Sequence, residues 1–222
     1  MPSEARKTIA VLGGTGNEGG GLALRWAKAG FPVIIGSRDI AKAEQAAAAI
    51  REKTSGSASG ASMLDAAEAA DIVVLSVPYA GQQATAQAVA EALEGKILVD
   101  VTVPLMPPKV GRVQLPEGGS AVAALQTLLG PGVRVVSAFQ NISAHHLAHL
   151  DHDVECDVLV CSDDRDAADE VVDLARAIGL GAWDAGPLAN SAASEALTSI
   201  LITLNRRYKL DGSGIRITGI SA

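Results

Sequence analysis

Short, almost continuous apolar runs alternate with longer amphipathic stretches along this chain. The apolar runs fall at residues 9–12, 32–36, 71–78, 96–103 and 133–139. Runs of this length with no polar alternation read as strands buried on both faces, the habit of a parallel sheet covered by helices. Between them lie segments with helical spacing at residues 22–27, 40–53, 80–93 and 120–129, the second carrying an alanine run at 46–49. The stretch 54–60 (TSGSASG) reads as a flexible loop, 61–63 as a short third strand and 64–70 as a short helix. Proline and glycine crowd 105–119, which reads as a loop folded over a site. Further on, strands are expected at 156–161 and 182–184, helices at 166–178 and 191–209, and a final extended stretch at 214–220. The whole pattern is α/β: a doubly wound parallel sheet in residues 1–150, followed by a small C-terminal lobe, 151–222, that closes a cleft from above.

The first strand runs directly into Gly14-Thr15-Gly16-Asn17-Glu18-Gly19, a G-x-G-x-x-G pattern with a helix after it. That context marks a Rossmann-type dinucleotide site. Gly14 is expected to make the tight turn, Gly16 to let the backbone approach a pyrophosphate, and Gly19 to let helix pack on sheet. The phosphates then face the free N–H groups of the helix N-terminus. An NAD site usually has an acidic residue at the end of the second strand, where this chain has Gly36-Ser37-Arg38, with Lys42 one turn on. A hydroxyl and two cations suit a 2′-phosphate, so the dinucleotide is read as NADP(H). Asp39 is read as the N-cap of the next helix. Ligands of such sheets sit beyond the carboxyl ends of the strands, which selects 76–79, 101–104 and 139–144 as the lining beside the nicotinamide.

Composition narrows the partners. The net charge is −7 and aromatics make up 3% of the 222 residues, which argues against nucleic acid and anionic membranes. No apolar run is long enough to span a bilayer, and residues 1–7 lack the apolar core of a signal peptide. Cys156 and Cys161 fall in one expected strand, too far apart to pair within it, so reduced thiols and a cytoplasmic setting are expected.

The chain resembles the NADPH-dependent coenzyme F420 reductases. The resemblance runs through Val11–Ala23, Gly36-Ser37-Arg38 with Lys42, residues 71–78 with Tyr79, Val136-Ser137-Ala138, Cys161-Ser162-Asp163-Asp164, and Asp184-Ala185-Gly186-Pro187-Leu188 with Asn190-Ser191. It implies direct hydride transfer between nicotinamide C4 and deazaflavin C5, with catalysis by positioning and no catalytic side chain. By the same resemblance Gly14, Thr15, Gly16, Asn17 and Glu18 surround the pyrophosphate, and Ser37, Arg38 and Lys42 hold the 2′-phosphate. Ser76, Val77, Pro78, Tyr79 and Ala144 lie on the nicotinamide side. Gln140, Ile142, Pro187, Leu188 and Asn190 are candidates for the deazaflavin side, and the basic residues Arg206, Arg207 and Lys209, or Lys109 and Arg112, are candidates for its acidic tail. The family carries a His in an H-T-[IV]-P-A segment, where this chain has Gln140-Asn141-Ile142-Ser143-Ala144. An amide there still donates a hydrogen bond to a ring carbonyl, but it carries no charge. A homodimer is implied as well, with the 191–204 segment as one candidate face.

His145, His146, His149 and His152 cluster beside Asp151 and Asp153. His145 and His149 have an i,i+4 spacing that can chelate metal, but no partner completes a site, so no metal is assigned. Two other functions fit the sequence. One is an NADPH-dependent reductase of a different acceptor, such as a flavin, a ferric chelate or a small imine or carbonyl compound. The other is a non-catalytic NADP(H)-sensing module.

Overall fold

The computed structural model describes residues 6–219. Residues 1–5, within the N-terminal stretch read for a signal, and Ile220, the end of the expected final stretch, lie outside the described residues. The elements are β1 Ile9–Leu12, α1 Asn17–Lys28, β2 Val33–Ser37, α2 Ile40–Thr54, β3 Ala58–Ser62, α3 Met63–Ala69, β4 Ile72–Leu75, α4 Gln82–Ala88, α5 Ala90–Leu93 and β5 Ile97–Asp100. They continue with α6 Ala121–Leu129, β6 Arg134–Ser137, α7 Ala144–Leu147, β7 Asp157–Ser162, α8 Arg165–Arg176, β8 Gly181–Asp184 and α9 Ser191–Tyr208.

The eight strands form one sheet in the order β3-β2-β1-β4-β5-β6-β7-β8. The first six are mutually parallel. Alternate residues of each strand feed two opposite cores, as period-two geometry requires. Ile9, Val11, Ile35 and Val99 face a core shared with Leu22, Trp26 and Val171. Ala10, Leu12, Val73, Leu75 and Leu98 face one shared with Ala66, Val122 and Leu125. Both faces are covered, which is why the strands read as uninterrupted apolar runs.

Four expectations change. β3 begins at Ala58, inside the stretch read as a loop. Its small residues let α2 lie almost on its backbone: a Cβ on Gly60 would fall 2.3 Å from Glu44 N. Small side chains suit that contact and leave no hydrophobic signal. The helix expected at 80–93 is broken at Val89 into α4 and α5. β7 pairs antiparallel with β6, through Val136↔Ser162 and Ser137↔Cys161, and β8 is parallel to β7. The C-terminal segment thus extends the same sheet, and its long helix α9 supplies the cover over the cleft. The fourth change is one of pairing: the stretch after α9 runs as expected without regular structure, but it hydrogen-bonds to the start of β7, Asp157 N donating to Ile215 O at 2.8 Å and Ile217 N to Asp157 Oδ2 at 2.7 Å. Among the described residues no helix is long and apolar enough to cross a membrane.

Candidate functional site

The carboxyl ends of β1, β4, β5 and β6 open into one cleft of about 560 Å³. Its floor is the glycine turn and the first turn of α1 (Gly16, Asn17, Glu18). Its walls are Ser76, Val77, Pro78, Tyr79 and Ala80 after β4, and Val101, Thr102 and Val103 after β5. Gln140 and Ile142 close it from β6.

The glycine turn is made one residue earlier than the motif suggests. Gly13, not Gly14, adopts positive φ (+86°), and a Cβ there would sit 2.3 Å from Ser76 O. Only glycine is unstrained in that conformation. Gly19 brings α1 against the end of β4, where an added Cβ would meet Ser76 Oγ at 2.8 Å. Gly16 caps α1 without any side-chain acceptor. The first N–H groups of α1 are therefore left free of a cap, the arrangement that receives phosphate.

At the end of β2, Ser37 is buried and its Oγ accepts from Asp39 N at 3.1 Å, leaving its hydroxyl proton free to donate. Asp39 is the N-cap of α2, accepting from Lys42 N at 3.2 Å, as its position after β2 suggested. Its other oxygen lies 3.9 Å from Lys42 Nζ. Arg38 is exposed and, among the described residues, has no carboxylate partner.

The proline- and glycine-rich stretch folds over the cleft, as its composition suggested. Leu105, Pro107 and Val110 of the 104–119 stretch line it, together with Thr198 of α9. Thr198 Oγ1 donates to Gln140 O at 2.7 Å. Thr203 Oγ1 donates to Gly111 O at 2.8 Å, and Ser199 Oγ to Arg112 O at 3.4 Å, so α9 holds the stretch in place. The helix is itself anchored by Glu195. That buried carboxylate accepts from Ala121 N at 2.8 Å, Val122 N at 3.3 Å and the Ser120 hydroxyl at 2.6 Å. It thereby caps α6 from another element. Burial holds the Glu195 carboxyl above the usual range, against these hydrogen bonds.

Beneath the cleft lies Asp100, fully buried at the end of β5. It accepts from Thr102 N at 2.9 Å and from Gln82 Nε2. Burial pushes its carboxyl up to about 6, against hydrogen bonds from Thr102 and Gln82. Glu18, partly buried on the first turn of α1, is pushed up to about 8 by burial and by the charge of Asp100.

Several expected site residues lie elsewhere. Ala144 opens α7 and lines an adjoining groove with Gly14, Thr15, His145 and Ala148, which shares Gly16 and Asn17 with the cleft. Leu188 is buried, and its N–H donates to Asp163 Oδ1 at 3.0 Å. Asn190 Nδ2 donates to Ala185 O at 2.7 Å. Pro187, Leu188 and Asn190 thus build the turn from β8 into α9 and do not line the cleft. Arg207 stacks over the Tyr208 ring at 5.9 Å, whereas Arg206 points toward Gly111 of the cover. Gln140 does line the cleft, but not as a donor. Both its N–H groups are committed at 2.9 Å, to Asp100 O and Ser137 Oγ. Its Oε1 is buried without a partner.

The histidine-rich segment serves backbone ends. Arg25 donates to the carbonyls of Leu147, His146, His149 and His152 at 2.6–3.2 Å. Among the described residues no group of three or more His, Cys, Asp and Glu is placed to hold a metal.

Comparison with known proteins agrees with this geometry. Residues 8–104 match the family described as NADP oxidoreductase coenzyme F420-dependent. The chain is 45% identical over 220 residues to the F420-dependent NADP reductase of Methanothermobacter marburgensis, covering 96% of this chain and 98% of that one. It is 45% identical over 221 residues to the protein of the same name from Methanocaldococcus jannaschii, covering 96% and 98%. Among solved structures, a candidate F420-dependent NADP-reductase from Arthrobacter sp. FB24 superposes with a TM-score of 0.79 at 28% identity, covering 95% of this chain and 98% of that one.

Proposed function

The chain belongs to the coenzyme F420-dependent NADP oxidoreductases, and on that premise we propose that its cleft passes hydride reversibly between NADP(H) and the deazaflavin coenzyme F420. The observation that carries this reading is the junction of two features. An uncapped helix N-terminus after a glycine turn opens onto a mainly apolar, covered cleft large enough for stacked rings. The free N–H groups of α1 would take the pyrophosphate. The Ser37 hydroxyl and the Arg38 guanidinium would take the 2′-phosphate, with Lys42 adding charge beside its Asp39 partner. Val77, Pro78 and Tyr79 would flank the nicotinamide. Gln140 Oε1, orphaned and buried, would accept a ring N–H of the deazaflavin beside Ile142.

The deazaflavin supplies a two-electron hydride acceptor when bound. The protein's own part is to hold two rings in register and keep water out. Leu105, Pro107, Val110 and Thr198 form the excluding cover. Of the cations expected to meet the acidic tail, Arg206, whose guanidinium lies near Gly111 of the cover, would do so. Exposed Ile200, Leu204 and Tyr208 repeat at helical spacing on α9, which supports a homodimer through that face. The free, buried Cys156 and Cys161 support a cytoplasmic setting.

The test is a spectroscopic assay with oxidised coenzyme F420 and either NADPH or NADH. Rapid loss of the deazaflavin's visible absorbance with NADPH, and little with NADH, is the expected result. No bleaching by a protein that binds NADPH would refute the F420 reading and return the weight to another acceptor or to a sensor.

A further inference from the structure

Of the residues that line the cleft, Glu18 alone carries a carboxyl or a basic group. Among the described residues it takes part in no ion pair. It stands on the first turn of α1 and shares the cleft lining with Val77, Pro78 and Tyr79. The charged groups around it are few. Asp100 of β5 is the like charge that acts on it, and Glu195 of α9 acts on Asp100 from beyond. Tyr79 is the remaining titratable side chain of the lining. No Lys, Arg or His lines the cleft.

A cleft so built has a definite preference for cations, and only one of the two redox forms of nicotinamide is a cation. We propose that Glu18 changes charge with the nicotinamide: its carboxyl is neutral beside the reduced ring and ionised beside the oxidised one, so that one proton leaves Glu18 with each hydride. This rests on the reading of the cleft as the nicotinamide site.

The balance closes. The C4–H bond of the dihydronicotinamide breaks with both electrons, and a C–H bond forms at the acceptor's C5. The nicotinamide is oxidised by two electrons and gains a positive charge; the acceptor is reduced by two and gains a negative one. The Glu18 O–H bond breaks, its carboxylate neutralises the pyridinium, and its proton neutralises the acceptor. In the opposite direction the same proton returns to Glu18. Burial and Asp100 keep the carboxyl protonated near neutral pH in the empty cleft, with its titration raised to about 8, and an adjacent cation lowers it. The group is therefore poised to lose a proton when the ring becomes charged and to hold it otherwise.

Calorimetric titration with NADP+ and NADPH tests this without any acceptor. Binding is measured from about pH 6.5 to about pH 9.5, each in two buffers of different ionisation enthalpy. The expected result is proton release on binding NADP+ at the lower pH, none on binding NADPH, and a ratio of the two affinities that shifts about tenfold over the range. The 2′-phosphate titrates with both ligands and cancels in the ratio. Glu18→Gln, with its fold verified by circular dichroism and cooperative melting, should show no differential proton release and a flat ratio. Glu18→Asp should restore both. Equal proton release with the two ligands, or a differential release that survives in Glu18→Gln, overturns the proposal. Wild-type protein that binds neither dinucleotide would instead sink the reading of the site itself.

Discussion

Arg38 and Lys42 are both exposed cations near the end of β2, but only Lys42 has a carboxylate beside it. The 2′-phosphate should therefore lean on Arg38. Arg38→Ala is expected to weaken NADPH binding by about 1.5–3 kcal/mol, the worth of a charged hydrogen bond, and to leave NADH binding almost unchanged. Parallel titrations of the two dinucleotides check this. Glu18 yields a prediction about stability. Its carboxyl titrates at about 8 in the fold against an ordinary 4.5. Between those values the unfolded chain releases a proton that the folded chain retains. Stability therefore falls as pH rises through that window, and the loss is complete above it. Glu18→Gln should melt later than the parent at pH 8, by about 1–3 kcal/mol, and the gain should fade toward pH 5. Equal melting at both pH values would contradict the raised titration. At this scale the sequence was informative where chemistry is local: the strand–turn–helix at residues 9–28 and the Asp39 cap follow from neighbours a few positions apart, although the turn falls at Gly13. It misled at Gln140, whose two N–H groups are taken by Asp100 and Ser137, and at Leu188 and Asn190, whose pattern serves a turn. Nothing in a linear pattern reveals which way a side-chain amide is already satisfied.

Between elements, α9 and α6 are joined by a carboxylate that belongs to one and caps the other. Glu195→Ala would strand the N–H groups of Ala121 and Val122 and the Ser120 hydroxyl in a buried place. A loss of about 2–4 kcal/mol is expected, read by denaturant unfolding. Because α9 also holds the 104–119 stretch, the same variant should loosen the cover and raise the KM for the hydride acceptor more than that for NADPH. An unchanged midpoint would show that α6 finds other caps. The strands with apolar side chains were legible because each is buried on both faces. The start of β3 was read as loop because its contacts require Gly, Ser and Ala. The direction of β7 was hidden for a different reason: an apolar strand reads the same whether its neighbour runs with it or against it, and only the connection decides.

For the molecule as a whole, the two halves of the sequence are tied through α1. Trp26 Nε1 donates to Leu174 O at 3.1 Å, Lys7 pairs with Glu170, and Arg25 gathers four carbonyls from the 146–152 segment. Arg25→Ala should lower stability by about 2–4 kcal/mol, since it leaves buried carbonyls unmet, and Arg25→Lys should recover only part because it lacks the planar fork. A dimer through the Ile200, Leu204 and Tyr208 face should give twice the chain mass by light scattering, and Leu204→Glu should halve it. A parent that elutes as a monomer at micromolar concentration refutes that face. The long reach of α9 also separates two duties along the chain. The turn that faces the phosphates lies in the first strand–helix unit, whereas the helix that covers the cleft follows β8. Grip and shield therefore come from distant segments, so a substitution that loosens α9 should leave the carrier held while its reactive carbon meets solvent.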